Sequence, residues 1–274
     1  MKKFFTFFLA IAIITILFSA CGTKKDSKPA PLNVDGLSGF EMYSQAAQTL
    51  NSVGSSVMNN QTLIKMKMGM DSMMDVKVNT VTETVMHSET DLDVRITSLT
   101  TAEDEDVDDI ETVIYYRAGN MYIYMEAWGM GMKLPMPLED IMHQLKTNGA
   151  LEFPEEAVLS ENIKAVDKGT EISLLLSGNV MSNLINEITK GMLGNMGIES
   201  DEMYIEMSDI EVVALLDSSN NLSELKTLMQ MDIDVDNVKM SMELDSAIEI
   251  VKIGGVTINF PAELDEYLDM AGMM

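Results

Sequence analysis

Twenty-seven methionines in 274 residues are the most chemically suggestive feature of this chain. Thioethers are soft ligands that suit Cu(I), and they also fill irregular apolar space because the side chain is unbranched and polarizable. Spacing bears on the choice. In LIKMKMGMD (63–71), Ile64, Met66, Met68 and Met70 share one face of a strand, with Lys65, Lys67 and Gly69 on the other. Residues i and i+2 stand ~6.6 Å apart along a strand. Two sulfurs there reach one ion only by bending both side chains or by recruiting a neighbouring strand. The same alternation recurs in MYIYMEAWGMGMKLPM (121–136), LMQMDIDV (228–235) and VKMSMEL (238–244), in slots that Leu, Ile or Val take elsewhere. Three uses compete: a core, a copper site, or a surface that holds something apolar. Methionine specifies a packed arrangement poorly, but it suits a surface that repacks around variable ligands.

Other chemistry is sparse. DIDVDNVKMSME (232–243) places Asp232, Asp234, Asp236 and Glu243 at loop positions 1, 3, 5 and 12 of a calcium-binding helix–loop–helix. Asn237 stands where that loop needs glycine, and the flanks alternate as strands, so the aspartates read as the wet face of a strand. EDEDVDD (103–109) lacks both the glycine and the closing glutamate and reads as a solvated loop. His87 and His143 are the only histidines and stand apart. There is no G-x-S-x-G, H-E-x-x-H or phosphate-binding glycine loop. No residue is assigned a catalytic role, and no cofactor is expected.

Cys21 is the single cysteine, which excludes an internal disulfide and any Cys-based metal cluster. Before it, residues 1–20 combine Lys2 and Lys3 with an uncharged apolar run from Phe4 to Phe18 and small Ser19 and Ala20, the pattern of a secretory signal. LFSAC (17–21) resembles the lipobox of bacterial lipoproteins, with Phe18 in place of the usual leucine. That resemblance implies cleavage before a diacylglyceryl-modified Cys21 and an anchor in the cell membrane on its extracytoplasmic face. Several acyl chains on one residue hold stably where one is marginal. Residues 21–36 are then the lipidated cysteine and a polar, proline-containing tether. Removing residues 1–20 takes away two lysines and no acid, so the net charge of −26 becomes −28. Such a surface repels nucleic acid and anionic headgroups. Hydrophobic residues at 46% exclude an acidic disordered chain.

The elements that position these residues follow from periodicity. Ser38 with Glu41 forms a capping box, and Phe40, Tyr43, Ala47 and Leu50 follow at helical spacing. Period two then takes over in 63–71 and in DLDVRITS (91–98). IETVIYYRAGNMYIYME (110–126) predicts a hairpin about Ala118-Gly119-Asn120, with Gly119 and Asn120 suited to positive φ. Leu138, Ile141, Met142 and Leu145 predict a helix from Pro137. TEISLLLSG (170–178) predicts a strand, and a helix follows over about Val180 to Met192. EMYIEMSDIEVVALLD (202–217) predicts one or two strands. GGVTINFPAELDEYLDM (254–270) predicts a strand and then a short helix opened by Pro261. The expected class is α+β, a large curved antiparallel sheet with helices on one face, spanning 37–274 as one domain.

The tether and first helix, the methionine-alternating strands, YYRAGNMYIYM (115–125) followed by KLPM (133–136), and FPAELDEYLDM (260–270) together resemble a family of uncharacterised lipoproteins of low-GC Gram-positive bacteria that carry a domain of unknown function. The order of elements is also similar to the LolA/LolB and LppX-type lipoprotein carriers. That second resemblance implies an incomplete barrel closed by helices over an apolar cavity, and hence a lipid-like ligand. Strand parity assigns the lining of such a face to Met66, Met68, Met70, Met121, Ile123, Met125, Trp128, Met229, Met231, Met240 and Met242. The leading expectation is a non-catalytic, lipid-anchored protein that holds an apolar ligand there. The rival is an interaction module with a filled core, acting through its acidic exterior on a cationic partner or the cell wall. Copper binding by methionine ranks third.

Overall fold

The computed structural model describes residues 34, 36–68, 72–88, 91–102, 109–125, 129–136, 153–195, 203–235 and 238–269. The segment 1–33 with Cys21, the helix predicted from Pro137, the acidic run 103–108, Met70 and Trp128 lie outside these residues.

Helix α1 (Gly39–Asn51) begins where the capping box puts it. Ser38 Oγ accepts from the Glu41 amide at 3.1 Å, and Glu41 Oε2 accepts from the Ser38 amide at 2.8 Å. A third orphan amide, that of Phe40, donates to Glu161 Oε2 at 2.9 Å, which ties the helix start to a distant strand. Met42, Tyr43, Ala46, Ala47 and Leu50 are buried and share one core with the strands described next. Helix α2 (Gly178–Asn195) exceeds its predicted span at both ends. Asp209 Oδ1 accepts from the Gly178 amide at 3.0 Å and Ser177 Oγ from the Val180 amide at 3.4 Å, so a residue far along the chain shares the cap with the local serine.

Among the described residues, thirteen strands form one sheet. They are β1 (Ser55–Met68), β2 (Ser72–Ser88), β3 (Asp91–Ala102), β4 (Ile110–Arg117), β5 (Asn120–Met125), β6 (Met130–Pro135), β7 (Val158–Val166), β8 (Gly169–Leu176), β9 (Met203–Met207), β10 (Ile210–Leu216), β11 (Leu222–Val235), β12 (Val238–Ile253) and β13 (Leu268–Asp269). Their order is β13-β6-β5-β4-β3-β2-β1-β12-β11-β10-β8-β7, so β7 and β13 end the path and the sheet is open. Every pairing is antiparallel except the short β13–β6 pair. Long β11 serves two neighbours in turn: its first half pairs with β10 and its second half with β9.

Three local expectations are corrected. In the β4–β5 hairpin the positive φ angles belong to Ala118 (47°) and Gly119 (77°), while Asn120 joins the strand and its Nδ2 donates to the Ala118 carbonyl at 3.1 Å. The two-residue turn with both φ positive matches the twist of the strands. Asn120 thus props the turn from outside, and alanine takes the strained place. The strand predicted after Gly254 is absent. Gly254 and Gly255 both adopt positive φ (77° and 62°), which ends β12 at Ile253, and 255–260 has no regular structure. The short helix after Pro261 is a 3-10 turn (Ala262–Glu266) rather than an α-helix. This C-terminal strap crosses the outward face of β4 to β6. Phe260, Leu264 and Tyr267 pack there with Tyr115 and Tyr122, and the Arg117 guanidinium lies 4.5 Å from the centre of the Phe260 ring.

Candidate functional site

Strand register assembles the site. On the inner face, Met66 of β1 stands opposite Met74 of β2 and Met242 of β12; Met242 stands opposite Met231 of β11, and Met231 opposite Met207 of β9. Five methionines therefore form one row across five adjacent strands, at the ~4.8 Å interstrand spacing. The next row on this face includes Met68, Met240, Ile233 and Ile205. Met66 is 2% exposed, Met242 4%, and Met231 and Met207 8% each. They belong to the same core as α1, with Met181 and Ile185 of α2 packed against it. Side chains of α2 also finish the edge of β9. Asn186 exchanges two hydrogen bonds with the Ile205 backbone at 2.7 and 2.9 Å, and Ser182 Oγ accepts from the Met207 amide at 2.7 Å.

The other end of the inner face is different. There Ile96, Ile114 and Ile123 stand in register across β3, β4 and β5, with Val94, Met121, Met125 and Leu134 packed around them. The three isoleucines are buried, but Val94, Met121, Met125 and Leu134 are only half-buried. Among the described residues, β1 to β6 put no Asp, Glu, Lys, Arg or His on this face, although the chain carries 44 acidic residues. Charge is confined to the outer side.

The eight members of the sequence-predicted lining whose side chains are described lie on this one face, in two groups. Met66, Met229, Met231 and Met242 belong to the core shared with the helices, and Met240 packs against it. Met68 lies beside them in register. Met121, Ile123 and Met125 belong to the partly open β3–β6 end. What the spacing argument did not reach is a band of hydroxyl and amide groups between the two. Asn60, Thr80, Ser98 and Thr112 share one row, and Thr82 and Thr84 continue it along β2. The alternation in VNTVTETV (78–85) is the available signal, but threonine favours strands in general, so the band emerges only when rows are aligned.

The outer face over β1, β12, β11 and β9 carries an open groove of about 490 Å³ lined by Lys65, Lys67, Glu206, Gln230, Asp232 and Glu243, among others. Lys65 Nζ and Glu243 Oε1 pair at 2.8 Å. That hydrogen bond holds the Glu243 carboxyl below and the Lys65 amine above their ordinary values. Both side chains are well exposed, so the pair adds little. Asp232 is likewise an exposed strand residue that accepts from Ser241. At the far end, buried Asp93 meets His87 Nε2 at 3.0 Å and Arg117 Nε at 3.6 Å. This arrangement neutralises a carboxylate and presents no nucleophile.

No family model and no curated protein matches this sequence. Among solved structures, the chain is similar to a LolA superfamily protein from Nitrosomonas europaea, at 9% identity and a TM-score of 0.26 over 84% of this chain and 97% of that one. It is also similar to a domain described as an outer-membrane lipoprotein-sorting protein from Vibrio parahaemolyticus, at 11% identity and a TM-score of 0.25 over 83% and 96%. Likeness at this level carries no argument about ligand or mechanism.

Proposed function

We propose that this protein is a non-catalytic, lipid-anchored binder of an apolar, lipid-like ligand, held at the extracytoplasmic face of the cell membrane through Cys21. The observation that carries the reading is the β3–β6 end of the inner face. It carries no charge, and around its buried isoleucines the apolar Val94, Met121, Met125 and Leu134 are only half-buried, in a chain whose exterior is strongly acidic. An apolar surface that the protein does not fully cover is a binding surface by default. The core shared with α1 and α2 supplies the rigid support, and Met121, Ile123, Met125 and Leu134 supply the adaptable contacts. The lipobox and tether read from residues 17–36 support the location, and the resemblance to Gram-positive lipoproteins is part of the same proposal.

The test is native mass spectrometry of the mature chain carrying Cys21→Ser, so that the anchor contributes no lipid of its own, followed by solvent extraction. A near-stoichiometric copurified lipid supports the reading. A clean mass that gains nothing from added lipid sinks it and favours the interaction module.

A second reading rests on the five-methionine row. Cross-strand register brings thioethers closer than i, i+2 spacing does, so three of them suffice for a soft monovalent ion. Titration with Ag(I), read by the same mass measurement, gives one tightly held ion if this holds and only diffuse adducts if the row is packing alone.

A further inference from the structure

We infer that Met121 and Met125 are oxidation sites at which a peroxide switches ligand binding off, while the buried methionine row and the fold are spared. This concerns regulation of the binding face proposed above and rests on that reading. Met121 and Met125 flank Ile123 on the inner face of β5, and both are half-buried. The other half-buried members of that cluster are Val94 and Leu134, whose hydrocarbon side chains take up no oxygen. Met66, Met207, Met229, Met231 and Met242 are at most 8% exposed. Met74, Met181 and Met240 are half-buried, but they pack on the core that carries the helices. Cys21 is the only cysteine, so residues 37–274 hold no thiol to intercept an oxidant first.

The step balances with hydrogen peroxide alone. A thioether lone pair attacks one peroxide oxygen, the O–O bond breaks, and the departing hydroxide takes the proton of the transferred oxygen to become water. Sulfur loses two electrons and the peroxide gains them. A flexible apolar side chain thereby becomes a polar sulfoxide. Among the described residues, this face of β3 to β6 holds no Lys, Arg or His to receive the new oxygen. The oxygen is then hydrated, and must shed that water when a ligand arrives, or it faces ligand hydrocarbon. A sulfoxide that turns to the Thr112 hydroxyl, in register with Met125, withdraws its side chain from the ligand instead. Each arrangement opposes binding, because a polar group taken out of water without a partner is penalised. The same oxygen inside the five-methionine row would break the core, and burial there keeps peroxide from the sulfurs.

The test treats the mature chain carrying Cys21→Ser with hydrogen peroxide for graded times and divides each sample between peptide mapping, a thermal melt and titration with monopalmitoylglycerol. Sulfoxide is expected to form at Met121 and Met125 roughly tenfold faster than at Met66, Met231 and Met242. Affinity is expected to fall about tenfold or more while the cooperative melt is kept. Across partly oxidised samples the loss follows sulfoxide at Met121 and Met125, and not at Met136, which is half-buried in the neighbouring Met86–Leu92–Tyr116 cluster. In the Met121→Leu/Met125→Leu variant, with affinity referred to that variant's own untreated value, peroxide changes binding by less than about twofold, because leucine takes up no oxygen. Binding that survives full oxidation of Met121 and Met125, equal oxidation rates in the buried row, a loss that follows Met136, or an undiminished loss in the variant overturns the inference and leaves the apolar-ligand reading standing. Failure of the untreated chain to bind monopalmitoylglycerol overturns both.

Discussion

Met66 and Met125 are both inward-facing strand methionines, and the division of the face into core and trough predicts that they respond in opposite ways to truncation. Met66→Ala removes three heavy atoms within the five-methionine row, where the residue is 2% exposed and flanked in register by Met74 and Met242. Such a cavity costs about 2–5 kcal/mol. At ~2–4 °C per kcal/mol for a domain of this size, the melting temperature falls by roughly 5–15 °C. Met125 is half-buried at the open end of the Ile96–Ile114–Ile123 cluster, so its truncation removes about half of a buried side chain, on the order of 1 kcal/mol. Ligand affinity reverses the order. Losing one apolar contact of about 1.4 kcal/mol weakens binding about tenfold for Met125→Ala, whereas Met66→Ala stays within a factor of about two, since well-separated sites act independently. Thermal melts by circular dichroism and titration with monopalmitoylglycerol read the two quantities on the same samples. The division fails if Met125→Ala destabilises as much as Met66→Ala, or if Met66→Ala weakens binding more.

Further predictions concern the scaffold. A Cβ at Gly131 would lie 2.5 Å from Tyr267 Cγ, so Gly131→Ala must push the ring off β6, loosen its packing on Tyr122 and Tyr124, and cost about 1–3 kcal/mol; faster amide exchange in the C-terminal strap than in α1 is the signature, and unchanged exchange there refutes the strap contact. Asn186→Leu removes the side chain that completes the β9 edge and leaves the Ile205 amide and carbonyl without it, a loss of about 1–3 kcal/mol seen as early urea exposure of β9 by hydrogen exchange. Burial raises the Tyr267 phenol above its ordinary value of 10.0. Its contribution to stability is therefore complete below that value and lost as pH rises through the raised one. Tyr267→Phe should lose this alkaline decline, and an identical decline in the variant would assign it to another group.

The sequence by itself determined what local physics controls. The pleat alternates side chains regardless of tertiary context, so the inner face of β1, β5, β11 and β12 is legible residue by residue from Met66 to Met242. The Ser38–Glu41 capping box fixes the start of α1 because both of its hydrogen bonds close within four residues. Where glycines set the backbone, prediction and structure part only in detail: a turn took Ala118 where Asn120 was expected, and the Gly254-Gly255 pair stopped a strand that composition alone would continue. Tertiary structure decided everything that depends on which strands adjoin. Met66 meets Met242 across a gap of well over a hundred residues, and no local pattern encodes that partner, because pairing is selected by the burial of whole rows rather than by either strand alone. The five-methionine row, the hydroxyl band from Asn60 to Thr112, and the contrast between the covered core and the half-open β3–β6 end all arise from that long-range register.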